Sequence, residues 1–133
     1  MNNTDVDLFE RIRGQIKQLY AEISLLSKSK PDGAINKFKL KFINEKLAEA
    51  HGFLGDEFRP SRDFATFDEV DMPTNSDVTM ILSQYLDGLE AWRCAHIFKD
   101  SIYWYWDVDG EQLIRTDSPS RYRKGQGGED EDE

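Results

Sequence analysis

The stretch that decides the fold is VTMILSQYLDGLEAW, residues 78–92. Its apolar side chains recur three and four positions apart, which is the spacing of one face of an α-helix. They are Val78, Ile81, Leu82, Tyr85, Leu86, Leu89 and Trp92. A face this wide is typical of a central core helix. Capping side chains in residues 73–77 predict its start, and we expect it to end near Phe98. A stripe of small residues that includes Gly88 predicts the close approach of a neighbouring helix.

Two earlier segments predict an antiparallel helical hairpin. Residues 4–27 carry one apolar face, with Thr4 as the expected N-cap and Asp7 three residues on. The members of this face are Leu8, Ile12, Ile16, Leu19, Tyr20, Ile23 and Leu26. A second helix over 34–50 follows a turn at 29–33, and so short a turn makes the two helices antiparallel.

The second segment contains a conflicting signal. Its residues 37–42, KFKLKF, alternate as a half-buried strand does. The helical period nevertheless continues through Leu47 and Ala50, past the usual length of a strand. We therefore expect a helix over 36–43. The expected apolar face comprises Ile35, Phe38, Phe42, Ile43, Leu47 and Ala50.

Residues 52–75 show no regular period, and glycine and proline interrupt them. A structureless loop of this length is uncommon in a compact domain. Four phenylalanines predict that the segment packs against the core rather than remaining disordered. They are Phe53, Phe58, Phe64 and Phe67. The overlapping segment 56–77 is strongly acidic.

The C-terminal part predicts a β-hairpin. IYWYW, residues 102–106, is rich in strand-forming residues, and Asp109-Gly110 is a favoured pair for a tight turn. Residues 111–116 can return as the partner strand. A two-residue loop would pair Trp106 with Leu113, Tyr105 with Ile114, Trp104 with Arg115 and Tyr103 with Thr116. A one-residue bulge would change these pairs.

Together these elements predict an α+β fold, in which a three-helix core carries a C-terminal β-hairpin. The chain of 133 residues suits one domain. We expect that domain over residues 1–117, followed by a flexible, disordered tail over 118–133 that is basic first and then acidic.

Composition narrows the classes of function. The net charge of −9 repels phosphate backbones and disfavours a nucleic-acid partner. No apolar run could cross a bilayer and the polar start does not resemble a secretory signal, so we expect no membrane partner. A single cysteine, Cys94, cannot form an intrachain disulfide, which favours a cytoplasmic location. We find no cofactor motif and too few Cys and His residues for a zinc site, and we expect neither cofactor nor metal.

The aromatic hairpin is the candidate binding site. One of its faces can pack on the helices, and the other must meet solvent, a covering loop or a partner. Tyr, Trp and Arg are enriched at binding hot spots, and the predicted register would let Arg115 stack on Trp104. The expected contact set is Tyr103, Trp104, Tyr105, Trp106 and Arg115. In the alternative, the phenylalanine-rich segment covers the second face and the whole hairpin is core.

Two charged segments also allow functional interpretations. A row of lysines could hold an acidic or phosphate-rich partner, or could be a solvated face that balances the acidic segment. The row comprises Lys28, Lys30, Lys37, Lys39, Lys41 and Lys46. Within the acidic segment, residues 63–77 could bind a divalent cation or form part of a DNA-like surface, and solvation is the simpler interpretation.

The remaining titratable residues indicate structural roles. His51 is expected at the end of the second helix, where a cation is favourable. Cys94 and His96 are two residues apart, so a helix points them in different directions and they do not form a nucleophile pair. Glu90 and Asp87 are expected on the outer side of the third helix, where nothing would shift the pKa of either.

We therefore expect a non-enzymatic, acidic cytoplasmic protein that binds a protein partner, as an adaptor or inhibitor does. Two alternatives stay open. One is a DNA-mimicking inhibitor of a nucleic-acid-binding enzyme, and the other is a small hydrolase or metal-dependent enzyme that uses residues 56–77. A homodimer is also compatible with the length of the first apolar stripe.

Overall fold

The computed structural model describes residues 1–110 and 113–120. Its helices are α1 (Asn3–Ser29), α2 (Lys37–Phe58) and α3 (Asn75–Cys94), with a short 3-10 turn at Glu69–Asp71. The strands β1 (Ile97–Asp100), β2 (Tyr103–Trp106) and β3 (Ile114–Thr116) form an antiparallel sheet in the order β1-β2-β3. The predicted α+β fold with three helices is confirmed. The predicted tail lies outside the described residues from 121 onward.

Helix α1 starts earlier than the sequence analysis expected. Asn2 is the N-cap, and its side chain accepts a hydrogen bond from the N–H of Asp5 at 3.0 Å. The Asp5 side chain in turn accepts one from the N–H of Asn2, also at 3.0 Å. The predicted cap at Thr4 is wrong by two residues because Asn2 and Asp5 offer the same three-residue spacing, with a stronger capping side chain. The fully buried face is Val6, Phe9, Ile12, Ile16 and Ile23.

Helix α2 confirms the helical prediction for residues 36–43 but corrects two members of the predicted buried face. Leu40 is buried, whereas Phe38 and Phe42 are 82% and 48% exposed. The buried residues, Leu40, Ile43, Leu47, Ala50 and Leu54, also recur three and four apart. Ile35, Ile43, Leu47 and Ala50 are therefore buried as predicted, and the correction is confined to Phe38 and Phe42, whose expected places in the core are taken by Leu40 and Leu54. The helix also continues to Phe58, past Ala50, with a kink at Gly55, whose φ is 71°.

Helices α1 and α2 lie antiparallel, as predicted. Lys39 pairs with Glu22 at 3.0 Å, and Arg11 pairs with Glu49 at 3.0 Å. A position early in one helix thus meets a position late in the other, which fixes the direction of the pair.

Helix α3 is central and packs against both other helices. Its fully buried apolar residues are Val78, Leu82, Tyr85 and Leu89. A Cβ added at Gly88 would lie 2.7 Å from the carbonyl oxygen of Phe58. The close approach that the small-residue stripe predicts therefore occurs, and the approaching element is the last turn of α2.

The segment between α2 and α3 packs against the helices, as its phenylalanines predict. The Phe64 and Phe67 rings meet edge to face at 5.0 Å, and both are partly buried against the core. Asn44 of α2 donates to the carbonyl of Phe67 and accepts from its N–H, each at 2.9 Å. These two bonds fix the main chain of the segment on α2.

The sheet contains a strand that the sequence analysis assigned to the third helix. That helix ends at Cys94 rather than near Phe98, and β1 then pairs with β2 through a tight turn at Ser101 and Ile102. The predicted hairpin is present as the antiparallel pair of β2 and β3, and β1 adds a third strand to it.

The register between β2 and β3 also differs from the predicted one. The observed pairs are Trp104 with Thr116, Tyr105 with Arg115 and Trp106 with Ile114. This is the shift by one residue that one additional residue in the connection produces.

Candidate functional site

The inner face of the sheet is anchored by Trp106. Ile97 and Ile114 are its cross-strand partners, so the three side chains share the face toward the helices. Trp106 is 1% exposed, and its ring lies 5.2 Å from that of Phe9 and 5.9 Å from that of Trp92. The expected contact set included Trp106, and burial corrects this. A side chain this deep in the core cannot touch a partner while the domain is folded.

The outer face of the sheet is aromatic and exposed. Phe98, Tyr105 and Arg115 lie side by side across the three strands, and Tyr103 neighbours Tyr105 along β2. Phe98 and Tyr103 are 38% and 39% exposed, and Tyr105 is half-buried. The Phe98 and Tyr105 rings are 5.9 Å apart. We call these four residues the outer sheet face.

Arg115 lies over Tyr103 rather than over the predicted Trp104. Its Cζ atom is 3.5 Å from the centroid of the Tyr103 ring. The shifted register explains the change, because Arg115 now faces Tyr105 and shares the outer face with Tyr103. A cation–π contact at an exposed site contributes about 0.5–1 kcal/mol. The contact thus restricts the guanidinium to one region while leaving its charge accessible.

Trp104 occupies an intermediate position at the end of the sheet. It is half-buried, pairs with Thr116 and lines an open groove of about 530 Å³. Tyr103 and Arg115 line the same groove, which makes it continuous with the outer sheet face. Trp104 therefore stays in the candidate set as a groove residue.

A buried arginine ties the last strand to α3. Arg93 is 2% exposed, and its Nε and Nη2 donate to the two carboxylate oxygens of Glu90 at 2.9 and 2.8 Å. Its Nη1 donates to the Thr116 hydroxyl at 2.9 Å and to the Asp117 carbonyl at 2.7 Å, and Nη2 also donates to the Ser118 carbonyl at 3.0 Å. All five N–H groups of the guanidinium are used. We call Arg93, Glu90 and the segment 116–120 the arginine clasp.

Glu90 is buried in the clasp, which corrects the expectation that it lies on the outer side of the helix. Its carboxylate also accepts from the N–H and the hydroxyl of Ser120, both at 3.2 Å. Burial alone would raise the pKa of Glu90, but the hydrogen bonds from Arg93 and Ser120 outweigh it, so the pKa lies below its usual value. For Arg93, burial alone would lower the pKa, and the Glu90 carboxylate reverses this and raises it. The charged pair is therefore the stable form, and it holds the described start of the predicted tail, residues 118–120, on α3.

His51 lies in the last turn of α2 before Gly55, whose φ of 71° and ψ of 178° interrupt the helix, so it is near the end of the regular helix as expected. It also has a structural partner. Its Nδ1 lies 3.0 Å from the Tyr85 hydroxyl, which also donates to the Phe64 carbonyl at 3.1 Å. Burial first, and then the charge of Arg59, lower the pKa of His51. The neutral imidazole therefore belongs to the packing between α2, α3 and the connecting segment.

His96 and Cys94 point to different partners, as their spacing predicts. The His96 ring stacks on Trp92 at 4.1 Å, and its Nδ1 lies 2.7 Å from the Trp92 carbonyl oxygen. The Cys94 sulfur instead lies 3.5 Å from a carboxylate oxygen of Glu90. We assign neither residue a catalytic role.

Several acids of the segment 56–77 serve local structure. Asp56 pairs at 2.8 Å with the arginine three residues on, and Asp68 accepts from the main chain of the 3-10 turn at 3.0 Å. Asp77 accepts from the N–H of Thr74 at 3.0 Å and completes the capping box of α3. Across residues 1–110 and 113–120, no three His, Cys, Asp or Glu side chains are grouped so as to hold a metal ion.

Within the described residues, no helix combines the length and the apolar character that a bilayer-spanning helix requires.

Phe98 is the member of the outer sheet face that the sequence analysis missed. It was placed in the expected last turn of the third helix. The polar triplet 99–101 separates Ile97-Phe98 from the aromatic run that begins at Ile102. This strand–turn–strand pattern is the signal that could have identified it.

Three comparisons with known proteins were made for this chain. No protein-family model, no curated protein and no solved structure matches it. The functional interpretation therefore depends on the geometry of the sheet and on the surfaces around it.

Proposed function

We propose that this chain is a non-enzymatic cytoplasmic binding protein that recognises a protein partner through the outer sheet face. The observation that carries the proposal is that Phe98, Tyr103 and Arg115 are exposed on one face, beside the half-buried Tyr105. Contiguous exposed apolar surface is typical of interaction sites. Tyr and Arg are also the residue types that contribute most at protein interfaces.

The rigidity of the support favours this use. Trp106 fixes the sheet from below, and the arginine clasp fixes β3 from the side. Side chains that are already ordered lose little conformational entropy when a partner binds. Aromatic side chains add large contact area at low entropic cost.

The chemistry of the face indicates the chemistry of the partner. The rings suit an apolar or aromatic side chain on an exposed protein surface, and Arg115 suits a carboxylate beside it. The groove at Trp104 can take one further side chain at the end of the sheet. An adaptor or inhibitor role fits a face of this kind.

The test compares the full chain with a variant of the outer sheet face. Tyr105→Ser combined with Arg115→Ala removes one ring and the charge, and Met80→Ser is the control because Met80 is an exposed apolar residue of α3. Each protein is immobilised and exposed to a cytosolic extract, and the retained proteins are identified. We expect one partner to bind the parent chain and the control, and to bind the outer-face variant at least about 30-fold more weakly, as loss of hot-spot residues predicts.

Folding of the variants is checked by near-ultraviolet circular dichroism, to which the packed Trp92 and Trp106 rings contribute. Equal retention by the parent chain and by the outer-face variant would contradict the proposal. The DNA-mimicking inhibitor and the small hydrolase stay predictions, and no specific observation in the described residues favours either one.

A further inference from the structure

A second apolar surface lies on the opposite part of the molecule, where α1 meets α2. Phe38 and Phe42 stand one helical turn apart on α2 and are exposed. Phe38 forms a ridge between two grooves. One, of about 350 Å³, has Leu19 and Ile23 of α1 in its lining. The other, of about 680 Å³, has Phe67 in its lining. We call this surface the phenylalanine ridge.

The loop beside the second groove presents apolar side chains to solvent. Val70 is 83% exposed and Met72 is 67% exposed. Met72 also has a φ of 50°, a left-handed conformation that costs a residue with a side chain about 1 kcal/mol. Glycine would adopt this backbone conformation more easily than methionine does. We call residues 68–72 the acidic knob.

The ridge and the knob have opposite charge. Lys37, Lys39 and Lys41 surround Phe38, and the Nζ of Lys46 lies 5.3 Å from the centroid of the Phe42 ring. Two acids of the helices also line the grooves, Glu22, which pairs with Lys39, and Glu45, so the surface keeps an excess of positive charge. The knob carries the carboxylates Asp68, Glu69 and Asp71 around Val70 and Met72. In a chain of net charge −9, a basic apolar ridge and an acidic apolar knob are complementary surfaces.

The knob cannot fill the grooves of its own chain. Asn44 holds the main chain of Phe67 from both sides, and the carbonyl of Pro73 accepts a 3.2 Å hydrogen bond from the N–H of Ile35. Both ends of the knob are thus tied down, and its two apolar side chains remain exposed. The same ties do not prevent the knob of one molecule from packing, as a rigid unit, onto the ridge of another molecule.

We propose that the occupant of the phenylalanine ridge is a second copy of this chain, whose acidic knob packs onto the ridge while its own ridge receives the first knob. The two surfaces are neighbours, because Phe38, Lys41, Asp68 and Glu69 line one groove. A two-fold axis between them therefore forms both contacts at once, as in an isologous dimer. This surface is separate from the outer sheet face, so the dimer leaves the proposed partner site open.

The first test measures the mass of the full chain in solution by sedimentation equilibrium. We expect the mass to rise from 15.5 kDa toward twice that value with increasing concentration, and the association to weaken when salt is added. Met72→Gly removes the knob side chain and relieves its backbone, so it should weaken the dimer at least tenfold while leaving folding stability nearly unchanged. A mass of one chain up to millimolar concentration would overturn the proposal.

The second test reverses charges on each surface. Variant K carries Lys37→Glu and Lys41→Glu, and variant D carries Glu69→Lys and Asp71→Lys. All four residues are exposed, so the substitutions have little effect on folding. Each variant alone should dimerise at least tenfold more weakly than the parent chain, because like charges then face each other in both contacts.

Mixing the two variants decides the geometry. In a mixed dimer both contacts again join opposite charges, so we expect variants K and D to associate with each other about as strongly as the parent chain does with itself. Ile102→Asp is the control, because it alters an exposed apolar residue of the turn between β1 and β2 and should leave the dimer unchanged. A dimer that survives both charge reversals, or variants that fail to associate on mixing, would overturn the proposed contact.

Discussion

Replacing Arg93 by methionine tests the arginine clasp directly. Methionine keeps most of the apolar stem but removes all five N–H donors, and the carbonyls of residues 117 and 118 lose their partner. The buried carboxylate of Glu90 keeps one cation among the described residues, the Arg13 guanidinium, whose Nη1 lies 3.7 Å from Oε1. Removing one partner of a buried ion pair costs about 3–5 kcal/mol. Because Arg13 still partly neutralises the Glu90 carboxylate, we expect Arg93→Met to lower the free energy of unfolding by about 3 kcal/mol, the lower end of that range.

The assay is urea unfolding followed by tryptophan fluorescence, in a double-mutant cycle with Glu90→Gln. The loss of about 3 kcal/mol corresponds to a fall in melting temperature of about 10 °C for a domain of this size. Adding Glu90→Gln to the Arg93→Met variant removes the uncompensated charge and should recover about 2 kcal/mol. Arg13→Met serves as the control and should cost less than about 1 kcal/mol, since its contact is longer and less buried.

Two results would refute this reasoning. One is a loss of less than about 1 kcal/mol in Arg93→Met, which would place the pair in the energetic range of a surface ion pair. The other is a strictly additive cycle, which would mean that Arg93 and Glu90 stabilise the fold independently of each other.

Three further predictions follow from the same coordinates. The pKa of Glu90 in the folded chain is below its usual value of 4.5. Its contribution to stability is therefore complete above pH 4.5 and is lost as the pH falls through the lower folded pKa. In an acid titration, the free energy of unfolding should fall less steeply for Glu90→Gln than for the parent chain. Gly88→Ala should lower the free energy of unfolding by about 1–3 kcal/mol, because the new Cβ would lie 2.7 Å from a main-chain oxygen of α2. Gly14→Ala should raise it by about 0.5–1 kcal/mol, because nothing lies within 4 Å of the new Cβ. Similar urea midpoints for the two variants would contradict this difference. In thermal unfolding, Trp106→Ala should lower the free energy of unfolding by about 3–5 kcal/mol and Tyr103→Ala by less than about 1 kcal/mol. Equal losses would contradict the assignment of the inner and outer faces.

The helical part of the fold was predictable because its signals are local. Each helix has its own apolar period and its own capping residues, and the small-residue stripe at Gly88 correctly indicated a close approach. What failed was the choice between competing local signals. Thr4 and Asn2 can each begin α1, and on α2 Phe38 and Leu40 belong to alternative stripes that only tertiary packing distinguishes.

The candidate site was harder to predict because it depends on pairing between distant residues. The strand content of 102–106 was evident, but the strand at Ile97–Asp100 and the shift by one residue against β3 were not. That shift moved Arg115 from Trp104 to the face of Tyr103. The burial of Glu90 could not be predicted from helix periodicity either, since it arises from contacts with a segment 30 residues away.

The arginine clasp holds residues 117 and 118 by their carbonyl oxygens, which every amino acid carries. These two hydrogen bonds are therefore independent of the side chains at positions 117 and 118. Mutations at these two positions can accumulate without moving β3, so this stretch beside the groove could acquire new specificity while the scaffold beneath it stays the same.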